Sequence, residues 1–361
     1  VNSNPKQRLV VAMSGGVDSS VVAMLLQRQG HELIGMFMRN GVKVHAEESS
    51  KKSCCSISDA RDARMVAASL GIPFHSVDLS TEFGAIIKYF LKEYGRGRTP
   101  NPCAVCNRDL KMGRLVQFAR ELGAEGVATG HYARLELVNG RVDLRRGVDQ
   151  DKDQSYQLFS VAEADLARTH LPLGAMQKSA VRAVARDAGL RTSDKKDSQE
   201  ICFVPQNDYR KLLDEHGVER HPGEIVDTSG HVLGRHEGTE HYTIGQRRGL
   251  GVGGGEPLYV VSIHPDEGRV VLGTREECGV VSCTLDAVNW IGLDAPESGE
   301  LRVEVQHRYR SKPAAATVHM RGTPTVYFDE PEVAVTPGQG AAFYLGDRLV
   351  GGGWIAATVR R

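Results

Sequence analysis

Three stretches of this 361-residue chain carry side chains able to do chemistry. In Ala12-Met13-Ser14-Gly15-Gly16-Val17-Asp18-Ser19, two glycines stand between hydroxyls and one acid. An apolar, β-branched run precedes them and helical spacing follows, so strand, tight turn and helix start succeed one another. Glycine lets backbone approach a ligand closely, and unpaired N–H groups at a helix start attract anions, so the stretch reads as a phosphate cradle. No lysine follows the glycines, which excludes the G-x-x-x-x-G-K-[ST] loop. An ordinary strand-to-helix turn would need neither the hydroxyls nor Asp18.

The second stretch is Asn101-Pro102-Cys103-Ala104-Val105-Cys106-Asn107-Arg108. Pro100 and Pro102 predict an extended loop, and helical periodicity from Asn107 puts Cys106 at a helix N-terminus. Arg96, Arg98, Arg108, Lys111 and Arg114 face the single acid Asp109, which leaves residues 96–114 about four charges positive. A thiol so placed is expected to be partly thiolate and nucleophilic. A zinc half-site and a buried structural Cys-x-x-C are the alternatives, although no second Cys-x-x-C or spaced His pair completes a zinc site. The third stretch, residues 193–205, is a charged loop ending near Cys202; Ile201 and Phe203 beside it leave an inert thiol equally open.

Short apolar runs at Val10–Met13, Leu33–Met38, Phe74–Val77 and Gly126–Ala128 predict buried strands. Helical periods lie between them, at Val17–Gln29, Ile57–Leu70, Thr81–Tyr94 and Asn107–Leu122. Strands alternating with helices predict βαβ units, a parallel sheet, and ligands at the strands' carboxyl ends. Met38 and the Thr129-Gly130-His131 loop fall at such ends; Met38 either faces an adenine or is a plain core methionine. A hairpin through Asn139-Gly140 and a helix at Gln177–Ala188 follow. From about residue 206 glycine rises and short alternating runs such as Tyr259–Ile263, Arg269–Leu272 and Leu301–Gln306 take over. The pattern predicts an α/β domain over 1–205, a small β-rich domain over 206–283, and a C-terminal β-barrel or sandwich over 284–361. Arg302, His307, Arg308, Arg310 and Lys312 alternate with apolar residues, so one face of the last sheet is expected to carry a basic stripe.

Composition narrows the classes. Apolar and charged fractions of 40% and 25% are those of a globular protein, and a net charge of zero tells against indiscriminate nucleic-acid binding. No apolar run approaches a membrane span and residues 1–9 show no signal-peptide pattern, so a cytoplasmic address without a membrane partner is the expectation. Seven cysteines, an odd number, argue for free, metal-binding or redox thiols over a disulfide framework.

The first loop resembles the Ser-Gly-Gly-x-Asp-Ser loop of the ATP pyrophosphatases, which implies an adenine-nucleotide alpha-hydrolase-like fold. The order of motifs extends the likeness. Asn-Pro-x-x-x-Cys-Asn, Ala128-Thr129-Gly130-His131-Tyr132, Lys152-Asp153-Gln154-Ser155-Tyr156, Lys196-Asp197-Ser198-x-x-Ile201-Cys202-Phe203 and the Tyr242–Gly251 stretch resemble the bacterial tRNA-specific 2-thiouridylases. The resemblance implies that ATP adenylates the C2 oxygen of a wobble uridine and that sulfur then replaces it. It makes Ala12 to Ser19, Met38 and Gly130 the ATP site, with Mg²⁺; Asp18, an acid beside the phosphate loop, is expected to be catalytic by ordering Mg²⁺ or the loop itself. Cys202 would receive sulfur as a persulfide from a cysteine desulfurase or sulfur carrier protein. Cys106 would be the second catalytic cysteine, ending disulfide-linked to Cys202. Asn101, Pro102 and Cys103 would meet the target base, and His131, Lys152, Asp153, Gln154, Arg308, Tyr309 and Gln339 would contact tRNA.

One position departs from the family's better-known pattern: Cys103 stands where aspartate is usual. Either cysteine of the pair could then join Cys202, and three thiols at 103, 106 and 202 would suit a [4Fe–4S] cluster as an alternative sulfur route. From the first domain alone an ATP-dependent amide or C–N ligase stays open, as does a non-catalytic RNA-binding protein. Cys54, Cys55, Cys278 and Cys283 lie outside the motifs and are expected to be structural or incidental.

Overall fold

Alternation along the strand Arg8–Ala12 sets the architecture. In the computed structural model Leu9 and Val11 enter one buried cluster and Val10 another, so this strand is covered on both faces. Glu32–Arg39 behaves likewise, with Leu33 and Phe37 on one side and Ile34 and Met36 on the other. Full burial of each such side chain is worth about 1.5–3 kcal/mol. The structure describes residues 6–41, 57–195, 201–204, 208–253, 256–297 and 299–361. Residues 42–56 with Cys54 and Cys55, residues 254–255, the motif residues 196–200 and the expected boundary at 205/206 lie outside the described residues.

The first sheet has five parallel strands in the order Phe74–Asp78, Glu32–Arg39, Arg8–Ala12, Gly126–Ala128, Thr169–His170. Connections run outward in both directions from Arg8–Ala12, so a crevice opens beyond its carboxyl end, beside Gly126–Ala128. Helices Val17–Arg28, Ile57–Ser69 and Lys178–Asp187 pack on one face and Leu115–Glu121 on the other.

The helix expected at Asn107–Leu122 begins earlier and is not uniform. It starts with the α-helical turn Pro102–Cys106, passes through a π-helical stretch Asn107–Arg114, and ends as Leu115–Glu121. Pro102 takes the first helical position, where its missing N–H costs nothing, and the Asn101 side chain caps Ala104 N at 3.1 Å. Pro102 therefore opens a helix, while Pro100 stays in the loop before it.

Asn139 and Gly140, at φ 52° and 79°, make a tight turn between Ala133–Val138 and Arg141–Arg146. This hairpin leaves the first sheet and pairs with the last strand of the chain through Leu144↔Leu349 and Arg145↔Arg348. The central segment holds a four-stranded sheet ordered Tyr259–His264, Arg269–Gly273, Gly223–Asp227, Val232–His236. Six antiparallel strands from Val280–Trp290 to Arg348–Arg360 close into a barrel because the first pairs with the last. The expected 283/284 boundary falls inside the first of these strands, which already pairs with its neighbours from Val280. The five cations do not line one sheet face, because the strand Glu300–Gln306 stops before His307 and leaves Arg308, Arg310 and Lys312 in the turn that follows. Arg302 is bound by Asp329, and His307 is buried next to Glu332. No helix among the described residues is long and apolar enough to cross a membrane.

Candidate functional site

The nucleotide loop sits at the carboxyl end of the central strand, in the crevice where strand order reverses. Gly15 has φ +73°, and a Cβ there would lie 2.2 Å from the Asp59 carbonyl oxygen, so only glycine fits. The N-cap of the helix Val17–Arg28 is Gly16, which has no side chain to occupy the first-turn N–H groups, so these can face an anion. Ser19 Oγ accepts from Ser14 N at 3.1 Å and Ser20 Oγ donates to Gly16 O at 2.8 Å, which fixes the turn. Ser14 itself is exposed. Gly130 lies against that first helical turn, its absent Cβ 3.4 Å from Ser19 N. Met38 is half-buried and packs with Ile34 and Met36 at its strand's end, one strand from the loop. Ala12, Met13, Ser14, Gly15, Gly16, Val17, Asp18, Ser19 and Gly130 are thus brought together, and these residues fit a nucleotide's phosphates.

Asp18 is engaged by protein groups. The buried Lys178 ammonium donates to both of its oxygens at 2.8 and 2.7 Å, and the Tyr132 hydroxyl donates at 2.8 Å. Its carboxylate therefore holds the first turn of the helix in place and does not fit the part of a Mg²⁺ ligand. Lys178 carries no signal in the sequence that points to this role, whereas Tyr132 belongs to a recognised motif.

His131 is buried, and its surroundings define its tautomer. Asn107 Nδ2 donates to Gln157 O at 3.1 Å, so Asn107 Oδ1 accepts from His131 Nε2 at 3.1 Å, and Thr129 Oγ1 donates to Nδ1 at 2.7 Å. Burial, reinforced by the Lys111 charge, drives its pKa well below 6.5, so the ring is neutral. It ties the Thr129–Tyr132 loop to the thiol-bearing helix and is not on a face open to RNA, as the motif had suggested. Asp153 and Gln154 are likewise turned inward. Asp153 accepts from Arg146, Gly147 N and Ser155, and Gln154 accepts from Tyr132 N. Lys152 beside them is half-buried.

Cys106 and Cys202, 96 positions apart, pack against one apolar cluster that includes Phe83, Phe90, Val105, Leu110 and Phe203. Both are half-buried, while Cys103 is exposed. Because the helix starts at Pro102, Cys103 occupies its second position and Cys106 its fifth; the expectation that Cys106 stands at the helix N-terminus is overturned. The positive surplus around them is also reduced, since Glu93 pairs Arg98, Asp109 pairs Arg108 and Glu82 faces Arg114. Two of those acids come from the preceding helix, outside the 96–114 window. Among the described residues no three His, Cys, Asp or Glu side chains converge to hold a metal, so the geometry lends the [4Fe–4S] alternative no support. Cys278 and Cys283 are buried, and burial pushes the Cys283 thiol up to about 12, far from reactivity.

The barrel fixes the approach to the thiol helix. Gln339 Nε2 donates to Thr99 O and Pro100 O at 3.1 and 2.8 Å, and Thr99 N donates to Pro337 O at 2.9 Å. Gln339 is buried, so it acts from inside on the loop leading to Asn101. Tyr309 stands 6.4 Å from the buried Tyr156 ring, whose hydroxyl donates to Gly340 O. Arg308 precedes it in the turn after the strand, half-buried. A cavity of about 820 Å³ along the thiol helix is lined by Tyr89, Arg98, Arg108, Arg114 and Trp354 and by none of the three thiols.

Family profiles match three consecutive segments of the chain: a tRNA methyl transferase HUP domain at residues 7–206, a tRNA methyl transferase PRC-barrel domain at 210–274, and an aminomethyltransferase β-barrel domain at 280–355. The chain is 48% identical over 360 residues to the tRNA-specific 2-thiouridylase MnmA of Geobacter metallireducens, covering 98% of each. It is 46% identical over 386 residues to the same-named protein of Rhodopirellula baltica, covering 98% of this chain and 97% of that one. With a glycine turn in the sheet's crevice, two distant cysteines gathered on one cluster and relatives alike from end to end, the chain belongs to the tRNA-specific 2-thiouridylase family.

Proposed function

We propose that the protein exchanges oxygen for sulfur at C2 of the wobble uridine in a set of tRNAs, using ATP, in the cytoplasm. The observation that carries this reading is the meeting of Cys106 and Cys202 on one apolar cluster, on a fold whose phosphate cradle lies at the sheet's crevice. Uridine C2 resists displacement because its oxygen leaves poorly. Attack of that oxygen on the α-phosphorus of ATP expels pyrophosphate and makes AMP the leaving group. The Gly15–Gly16 turn and the first turn of the helix Val17–Arg28 hold the phosphates, and Lys178 with Tyr132 keeps Asp18, and so that turn, in register.

Cys202 carries the incoming sulfur as a persulfide supplied by a desulfurase or carrier protein. A thiolate at Cys106 attacks the Cys202 sulfur; a Cys106–Cys202 disulfide forms, the outer sulfur departs as hydrosulfide, and hydrosulfide adds to C2 as AMP leaves. The persulfide sulfur gains the two electrons that the thiol pair loses, and an external thiol resets the pair. Cys103, exposed at the second helical position, borders the base, which must leave its stack to react, while the buried Asn101 and Pro102 hold the helix start beneath it. Segment 206–283 and the barrel 284–361 are the surfaces proposed to take the rest of the tRNA, with Arg308 and Tyr309 at the junction. A methyl transferase or an amide ligase would leave both cysteines idle. The test combines protein, ATP, a persulfide-generating donor and unmodified tRNA; 2-thiouridine and AMP in equal amounts are expected, and AMP without thiouridine would exclude sulfuration.

A further inference from the structure

Lys195 is the last described residue before the segment that leads to Cys202, and its ammonium lies at the nucleotide loop. It donates to Gly15 O at 2.9 Å, to Asp59 Oδ1 at 2.6 Å and to Asp62 Oδ2 at 2.7 Å. Gly15 presses against the Asp59 backbone there, so three parts of the chain meet: the loop, the start of helix Ile57–Ser69, and the base of the cysteine segment. Burial opposes the ammonium charge, but the two carboxylates outweigh it and raise its pKa, so it stays charged. The backbone around it is held as well. Arg182 donates to Ser193 O at 2.7 Å and to Lys195 O at 3.0 Å. Arg182 lies one helical turn beyond Lys178, which grips Asp18, so one helix face braces the nucleotide helix and the 193–195 backbone together.

We propose that Lys195, braced by Arg182, is a positioning residue that couples the two halves of the site: it registers the chain carrying Cys202 against the loop that holds ATP. The inference rests on the sulfuration reading above. Seven residues from Lys195 to Cys202 reach at most about 25 Å, so the anchor limits where the persulfide can stand relative to the activated base. Placement of this kind governs rate steeply, since a misplacement of about 1 Å costs on the order of 100-fold. Sulfur fed through Cys202 depends on the anchor, whereas free sulfide diffusing to the adenylated base does not pass through Cys202.

The experiment compares wild type and Lys195→Met in two arms, one fed by a desulfurase that loads Cys202 and one by sodium sulfide, each scored as 2-thiouridine formed. The ratio of persulfide-fed to sulfide-fed rate is expected to fall about tenfold or more in the variant. An unchanged ratio, whether both rates fall or neither does, overturns the proposal and leaves Lys195 a part of the fold or of the ATP site alone. A second measurement stands apart from thiolation: alkylation of Cys202 by iodoacetamide, followed by mass spectrometry with and without a non-hydrolysable ATP analogue. Coupling predicts that the analogue changes the wild-type Cys202 rate and not that of Lys195→Met. A wild-type rate indifferent to the analogue contradicts the coupling, while a wild type with coupled alkylation but no thiouridine in either arm contradicts the sulfuration reading instead.

Discussion

The nucleotide turn draws its working groups from one loop and the first turn of the helix that follows, residues 12–19, with a single glycine, Gly130, supplied from the next strand's end. The thiol site is assembled from segments around 101, 202 and 339, and its entry loop is held by a barrel residue some 240 positions away. A backbone-made anion site can be encoded locally, because its ligands are N–H groups that any correct turn supplies. A pair of thiols that must exchange sulfur needs tertiary structure to meet, and every brace on that structure becomes part of the chemistry.

Substitutions in the two regions should therefore separate. Cys202→Ser and Cys106→Ser should each cut persulfide-fed thiolation on the order of 10⁴-fold, as loss of a covalent nucleophile does, with ATP binding by calorimetry unaltered. Retained thiolation in Cys106→Ser with loss in Cys103→Ser would shift the role to the cysteine at the second helical position. Next in size, Gly15→Ala forces a side chain into a left-handed position against the Asp59 carbonyl, a strain of roughly 1–3 kcal/mol, so ATP affinity should drop about 10- to 100-fold. Gln339→Ala removes the donor to two backbone carbonyls, a loss of about 1–3 kcal/mol of order in the thiol loop. Thiolation should fall there with the KM for ATP unmoved; a rise in that KM would mean that the Gln339 brace reaches the nucleotide turn as well.

The smallest effect is a pH dependence. His131 has a folded pKa below its ordinary 6.5, so above 6.5 it is neutral in both states and its full contribution is present. As pH falls below 6.5 the unfolded chain takes up a proton that the folded chain refuses, and stability declines by at most about 1.4 kcal/mol per pH unit. Urea unfolding at pH 7.5 and 5.5 should show that decline in the wild type and less of it in His131→Asn. Equal declines would remove the neutral His131 network from the account.

The same contrast explains how much was legible in the sequence. Four of the first sheet's five strands and the glycine loop are readable because short apolar runs and a Gly-Gly turn are local signals, whereas the two-residue strand Thr169–His170 carries no such run. The helix start is ambiguous in the sequence because Pro102 reads equally as loop or first helical residue, and the Asn101 cap that decides it is a contact and not a composition. His131, Asp153 and Gln339 sit in motifs that resemble tRNA-contacting positions, but hydrogen bonds to partners far along the chain turn them inward. Lys178 and Lys195 are two lysines among many until the fold carries them to Asp18 and Gly15. The charge surplus around the thiols is smaller than the 96–114 window suggests for the same reason, since Glu82 and Glu93 arrive from a neighbouring helix.

The central claim is that one site unites a nucleotide-activated base with sulfur relayed between Cys202 and Cys106. A single turnover of persulfide-loaded protein with ATP and unmodified tRNA, quenched with an alkylating agent and digested for mass spectrometry, tests it most directly. The account predicts one 2-thiouridine and one Cys106–Cys202 disulfide for each AMP. Thiouridine formed at that stoichiometry with both cysteines recovered as alkylated thiols would contradict it.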